Sequence, residues 1–437
     1  MASRPVRIDV RQLRLGLYVS LGGRWLDHNF LFNSFRISNE AQIERIRAAG
    51  FTHVDYHPDR STVTPLALPS PAVLPPAGAA TSPVAAAAQA FEARLRQPVD
   101  STELDERRRR SERVVARRTA LAACERAYRR SVGAVKALMA EVFVAPREAG
   151  AKAGVLVDDI VADLLQNQNA VVNLMTDVPT DAGARYHALN VMILSLLLGR
   201  AAGLQGEALR LLGLGALLHD IGKVHLAPAV LRVDPSQRTR HEEAAYRQHV
   251  EYGTTQCLEL GFGQAAVLHV VRHHHERMDG SGWPDRLQGV HIPLPTRIVA
   301  IANRYDGLCH APDPRRSMTP SEALATMYRH ESAALDRGLL QRFIKCLGVW
   351  PPGTLVQLSN GAIGLVTAVE FEDTMRPTVL VGDLSVPRSE AVIVDLREAP
   401  DVKVERALRP ADVDGAVLGY LAPRAQVNYF VGVDTGL

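Results

Sequence analysis

His219 and Asp220 stand side by side at the end of an apolar run, Leu217-Leu218, with Gly222-Lys223 close behind. Buried in a helical core, such a pair is costly unless something satisfies it, and a bound cation does so by making both groups ligands. More imidazole surrounds this point in the chain: His187 before it, His249 and His274-His275-Glu276 after it. Ten of the 15 histidines lie between His187 and His291, about a quarter of the chain. A lone histidine on a helix is ordinarily a hydrogen-bonded structural residue, so the weight lies on the set. Antiparallel helices would bring its members to one pocket.

Imidazoles with a carboxylate suit a borderline divalent metal such as iron, manganese, zinc or nickel. One aspartate can bridge two ions through its two oxygens, and Asp220 is the candidate bridge. Two ions about 3.5–4 Å apart neutralise charge developing on phosphorus in an in-line displacement. The reaction class implied is phosphoester hydrolysis. Lys223, four residues past His219, is placed to reach a phosphate oxygen or to donate a proton to the leaving oxygen, unless it is only a surface lysine capping a helix. Downstream, Asp279-Gly280-Ser281-Gly282-Trp283-Pro284 reads as a tight loop beside the ligands. Its indole either stacks on a base or packs the loop down.

The elements that must position these residues are helices. Amphipathic periodicity predicts them over about 186–202, 206–220, 241–259, 264–275 and 296–308, with His249 in mid-helix. Before them, residues 1–62 read as a small α+β module, 63–90 as a Pro/Ala-rich linker, and 91–149 as a helical connector in which Arg107-Arg108-Arg109-Arg110 forms a solvated face. A domain of residues 150–348 carries the ligands. After Trp350-Pro351-Pro352-Gly353 the texture turns to strands at 354–358, 364–369, 378–381 and 391–395, so residues 349–437 read as a β-rich appendix with no sign of chemistry.

Composition bounds the rest. The 437 residues are 47% hydrophobic, 22% charged and 5% aromatic, which is globular and favours helical packing. A net charge of +3 does not announce a DNA partner. Four scattered cysteines without Cys-x-x-Cys spacing argue against a disulfide framework or a zinc knuckle and fit a reducing compartment. The apolar stretch from Leu189 to Leu198 is far short of the roughly 20 residues of a membrane span. The cytoplasm is the expected location.

His219-Asp220 with Gly222-Lys223, then His274-His275-Glu276 and the loop through Trp283-Pro284, resemble the HD-GYP family of cyclic di-GMP phosphodiesterases, a branch of the HD-domain metal phosphohydrolases. Leu13 to Val19 and Trp25-Leu26 are similar to the uncharacterised domain that often precedes it. The resemblance implies a mainly α protein: an all-helical HD-domain core between a small α+β N-terminal module and a small β C-terminal appendix. It implies two divalent metal ions, iron or manganese, held by His187, His219, Asp220, His249, His274, His275 and position 303. It also implies opening of cyclic di-GMP to linear pGpG, with GMP as a further product, Lys223 and Arg297 on the phosphate, and Arg315 as a weaker contact. Diguanylate cyclase (GGDEF) domains and a second copy of the chain are the partners it raises.

This chain departs from the family pattern at named positions. Ala302-Asn303-Arg304-Tyr305-Asp306 carries Asn303 where an aspartate ligand is usual, and an amide brings no charge to a cation. Trp283 replaces the tyrosine of the family's name. Gly183 stands where some members carry a glutamate for a third ion, which implies two. Three readings stay open: an active cyclic di-GMP phosphodiesterase, a degenerate domain that binds the nucleotide or a partner without turnover, and a phosphohydrolase of another nucleotide or phosphoester.

Overall fold

The structure is a computed structural model describing residues 5–21, 30, 32–67, 101–166, 170–175, 183–311, 313–370, 373–388, 391–421 and 428–433. The Pro/Ala-rich linker lies almost wholly outside these residues, as do Trp25-Leu26 and the side chains of the Arg107 run.

The N-terminal module is a four-stranded antiparallel sheet of β1 (Val6–Asp9), β2 (Tyr18–Ser20), β3 (Ser34–Arg36) and β4 (His53–Tyr56), in the order β1-β4-β2-β3. One helix, α1 (Glu40–Ala48), crosses it, capped by the Asn39 side chain and burying Ile43 and Ile46. The connector α2 (Ser101–Glu141) and α3 (Pro146–Gln166) lead into the helical domain, and β5 (Ala170–Met175) follows them.

The helical domain forms around α4 (Gly183–Ala201), whose residues from Ala188 to Leu198 are all buried. An all-round apolar helix has no solvent face to offer, so its neighbours enclose it. The helices of the domain are α5 (Gly206–Leu218), α6 (Pro228–Arg232), α7 (Arg240–Arg247), α8 (His249–Leu260), α9 (Ala265–His273), α10 (Leu294–Cys309), α11 (Pro320–His330) and α12 (Arg337–Leu347), of which α5, α10 and α12 pack on α4 together with α2. Capping boxes at Thr239/Glu242 and Thr319/Glu322 start α7 and α11, and left-handed Gly261 ends α8. The single helix expected over 241–259 is two: Gln248 ends α7 and opens α8, so His249 lies in a first turn rather than in mid-helix. No described helix is long and apolar enough to cross a membrane.

The C-terminal strands β6 (Leu355–Leu358), β7 (Ile363–Glu370), β8 (Thr378–Val381), β9 (Ile393–Asp395) and β10 (Val404–Leu408) precede a short helix, α13 (Gly415–Leu421), and β11 (Asn428–Val433). With β5 they form an antiparallel sheet of path β10-β6-β7-β5-β11, with β8 and β9 extending from β7. β5 and β11 were not expected, since a six-residue apolar run is ambiguous by periodicity. The two ends of the chain share one hydrophobic core, Ile8, Leu17, Val19, Phe35 and Ile46 packing with Val356, Val366, Val379 and Val394. Asn33 Nδ2 donates to Ser385 Oγ at 2.7 Å across this seam.

Candidate metal centre

Four helix ends converge on Asp220. It leaves the end of α5 with φ −104° and ψ 8°, directly after His219, and enters a 3-10 turn over Ile221–His225. His187 lies in the second turn of α4, His249 opens α8, and His274 ends α9 with His275 following. Gly222 lets two of these ends meet: a Cβ there would lie 1.9 Å from the His249 carbonyl oxygen and 2.4 Å from the Gly253 nitrogen. Only glycine permits that approach.

The two carboxylate oxygens of Asp220 face different imidazoles. Oδ2 lies 3.5 Å from His187 Nε2 and 3.4 Å from His219 Nε2, while Oδ1 lies 3.4 Å from His249 Nε2 and 3.7 Å from His274 Nε2. His275 joins the second set, and within each set the donor atoms lie within 4.8 Å of one another. Donors about 2.1 Å from a shared ion are separated by roughly 3.0–3.4 Å at octahedral or tetrahedral angles, so these spacings suit a divalent metal. Asp220 belongs to both sets, as a bridge would.

Hydrogen bonds settle which ring nitrogen faces the centre. Nδ1 of His219, His249 and His274 lies 2.7, 2.6 and 3.0 Å from the carbonyl oxygens of Ala216, Tyr246 and Val271. A carbonyl only accepts, so Nδ1 donates and Nε2 keeps its lone pair inward. His187 Nδ1 donates instead to Asp306 Oδ2, at 2.7 Å. Among the described residues, buried Asp220 Oδ1 and Nε2 of His249, His274 and His275 have no hydrogen-bond partner. Each such atom costs about 1–3 kcal/mol, and a cation would satisfy all four at once. The His/Asp cluster can hold divalent metal.

Charge differs across the cluster. Burial pushes the His219 imidazole down to about 4 and that of His249 to about 3, and takes His275 well below its ordinary value. Burial opposes protonation of His187 too, but its hydrogen bonds to Asp220 and Asp306 outweigh this and raise it to about 9. Burial also disfavours the Asp220 anion, yet the Lys223 ammonium and the surrounding imidazoles keep it ionised.

A cavity of about 850 Å³ opens beside the cluster, a size suited to a small-molecule ligand. Lys223 lines it, with Nζ 2.5 Å from Asp220 Oδ2, so it is not a surface cap. Asn303 lines it as well, on α10. Three expected substrate contacts lie elsewhere. Trp283 stacks on His275, with ring centroids 4.1 Å apart and planes at 20°, and meets His249 edge-on, so its face is already covered by an imidazole. Arg297 points at Asp336, 2.7 Å away, at the start of α12. Arg315 is exposed and held by Asp313 at 3.0 Å. None of the three lines the cavity.

Three other arginines line the cavity. Arg277, directly after Glu276, lines the cavity without a salt bridge among the described residues. Arg238 lies over the Tyr246 ring at 3.7 Å, and Arg304 is fixed by Glu331 at 2.8–2.9 Å through its Nε. Sequence position offered a signal for Arg277, which adjoins one motif, and for Arg304, which lies inside the segment around Asn303, but none for Arg238. Glu276 accepts backbone N–H groups of Asp285 and Leu287 at 2.7 and 3.0 Å, which folds the loop back over His275. Asp306 is the other addition: fully buried, it orients His187.

Residues 6–152 match a domain of unknown function (DUF3391), and residues 159–339 match the HD domain. The chain is 30% identical over 382 residues to "Cyclic di-GMP phosphodiesterase PA4108" of Pseudomonas aeruginosa, covering 86% of this chain and 84% of that protein. It is 36% identical over 165 residues to "3'3'-cGAMP-specific phosphodiesterase 1" of Vibrio cholerae, covering 37% of each. Among solved structures it is similar to Bd1817, a HDG"Y"P protein from Bdellovibrio bacteriovorus, at 16% identity and a TM-score of 0.39, covering 78% of this chain and 98% of that one.

Proposed function

Because this chain belongs to the HD-GYP family, with the domain of unknown function ahead of an HD domain, we propose that it is a metal-dependent phosphodiesterase opening cyclic di-GMP to linear pGpG, with GMP as the product of a second round. The observation that carries this reading is the division of the Asp220 oxygens between two sets of imidazoles beside a cavity of nucleotide size. His187, His219, Asp220 and Asn303 would hold one ion and Asp220, His249, His274 and His275 the other, with iron or manganese suiting the donors. When bound, such ions supply Lewis acidity to the phosphate oxygens and lower the pKa of water at neutral pH.

The chain's own residues do the rest. Lys223, beside Asp220 and fully protonated, meets a non-bridging phosphate oxygen or gives its proton to the leaving ribose oxygen. Arg277 and Arg304 on the cavity wall bind the second phosphate of the ring. On this reading the chain works in the cytoplasm, with GGDEF domains and a second copy of itself as its candidate partners.

Protein purified anaerobically and loaded with Mn(II) or Fe(II) should convert cyclic di-GMP to pGpG, and His219→Ala with Asp220→Ala should abolish this. Absence of turnover on metal-replete protein would sink the reading; faster turnover of 3'3'-cGAMP would reassign the substrate. Asn303 supports a second reading, binding without turnover. Calorimetry showing saturable cyclic di-GMP binding to a metal-replete protein that forms no product would favour it.

A further inference from the structure

β11 is the last strand of an appendix whose sequence shows no chemistry, and it is the edge of its sheet. Along its length it pairs with β5, with Tyr429 opposite Leu174 and Phe430 opposite Asn173. An edge strand presents unpaired N–H groups, which must be covered or solvated. Here the covering group is a side chain of the catalytic domain: the Tyr429 N–H donates to Asn190 Oδ1 at 3.2 Å. Asn190 Nδ2 donates in turn to Asp306 Oδ1 at 2.9 Å, and Asp306 Oδ2 accepts from His187 Nδ1 at 2.7 Å. Three hydrogen bonds thus join the backbone of the final strand to an imidazole of the metal centre.

Two further contacts converge on the same place. Tyr429 and Tyr305 share a hydroxyl hydrogen bond of 2.8 Å, and Tyr305 lies between Asn303 and Asp306 on α10. Phe430 meets Tyr128 of α2 edge-on at 5.8 Å, and Tyr128 stacks at 6.3 Å on Tyr186, the residue before His187. Asn190, Tyr305, Asp306 and Tyr429 are wholly buried, so water cannot replace a lost bond among them. The Asn190 amide accepts from a backbone N–H with its oxygen and donates to a carboxylate with its nitrogen. Aspartate at 190 would set two carboxylates against each other; leucine would leave the Tyr429 N–H and one bond of Asp306 unmet.

We propose that Asn190 and Tyr429 are positioning residues for His187, acting through Asp306, and that β11 thereby ties metal binding at the His187 set to the body formed by the two chain ends. The proposal rests on the two-metal reading of the centre for its affinity readout. It extends to the N-terminal module because β11 continues through β5 and β7 into strands that share a core with that module. A displacement of that body is transmitted to His187 before it reaches His249, His274 or His275.

The test compares full-length wild type, Asn190→Leu and Tyr429→Phe. Calorimetric titration of metal-free protein with Mn(II) should show one of two sites weakened about 10–100-fold in Asn190→Leu, the range for losing an outer partner of a ligand, and less in Tyr429→Phe. The other site keeps wild-type affinity. Nitrogen NMR of labelled histidine rings in metal-free protein should show the His187 signals displaced and those of His249 and His274 unmoved. Wild-type affinities at both sites with unmoved His187 signals would overturn the proposal, as would equal weakening of both sites. If Asn190→Leu fails to fold, Asn190→Asp, which keeps the size of the side chain but loses the donor to Asp306, decides on the same readouts, since Tyr429→Phe leaves the backbone N–H of the relay in place. If wild type takes up no Mn(II), the two-metal reading fails while the ring signals still decide the positioning role.

Discussion

Around Asp220 Oδ1, His249, His274 and His275 come from the facing ends of α8 and α9 and are braced by the loop that follows, whereas around Oδ2, His219 is held by its own helix and His187 by partners far away in sequence. The first set is local: Trp283 covers His275, Glu276 and Asp285 fasten the loop, and all lie within one stretch of chain. In the second, His187 is oriented by Asp306, 119 residues on, which is held by Asn190, which meets Tyr429 a further 239 residues from it. Its charge differs too, since His187 is protonated without metal while burial keeps His249 and His275 neutral. A bridging carboxylate can therefore join one set that folds with its motif to another that needs the whole chain. The lesson is that the second set is the adjustable one.

The largest expected way to break this contrast is Gly222→Ala. A methyl group there must displace the His249 backbone, an overpacking worth about 1–3 kcal/mol in a denaturant melt. Mn(II) affinity should fall mostly at the local set; equal loss at both would erase the distinction. Asn303→Asp works on the other set by supplying the missing charge. Mn(II) affinity there should rise roughly tenfold, about 1.4 kcal/mol, and an unchanged isotherm would put Asn303 outside the coordination sphere.

Trp283→Leu sharpens the local side. Losing the stack on His275, worth about 0.5–1.5 kcal/mol, should weaken Mn(II) at the local set and leave the KM for cyclic di-GMP unchanged. A raised KM with unaltered metal affinity would return the indole to the substrate. The smallest effect concerns loop bracing by Asp285, whose carboxyl is held at about 2 by hydrogen bonds from Arg272 and His273. A depressed carboxyl stabilises the fold above its unfolded value, roughly 3.9, and loses that contribution as pH falls through the folded value. Asp285→Asn should melt roughly 1–2 °C below wild type at pH 7 and coincide with it near pH 2.

Much of this centre was legible. Residue type and order singled out His187, His219, Asp220, His249 and the His274-His275 pair, and the structure brings all of them together. The substrate side was less so. Trp283, Arg297 and Arg315 sit in motif-like positions, but their directions depend on which helix they pack against: His275, Asp336 and Asp313 took them. Arg238 carries no spacing signal and reaches the cavity only through the fold. The break at Gln248 escaped periodicity because both sides of it are helical.

By itself the sequence determined the helical core, the chemistry of its donors and the bridging role open to Asp220, because apolar period and ligand type are properties of residues read in order. Tertiary structure alone decided which oxygen of Asp220 faces which imidazole, that the two ends of the chain share a core, and that Tyr429 supports His187 through Asn190 and Asp306. The shared core and the Tyr429 relay join residues more than a hundred positions apart, and their hydrogen bonds exist only once burial has removed water as a competing partner.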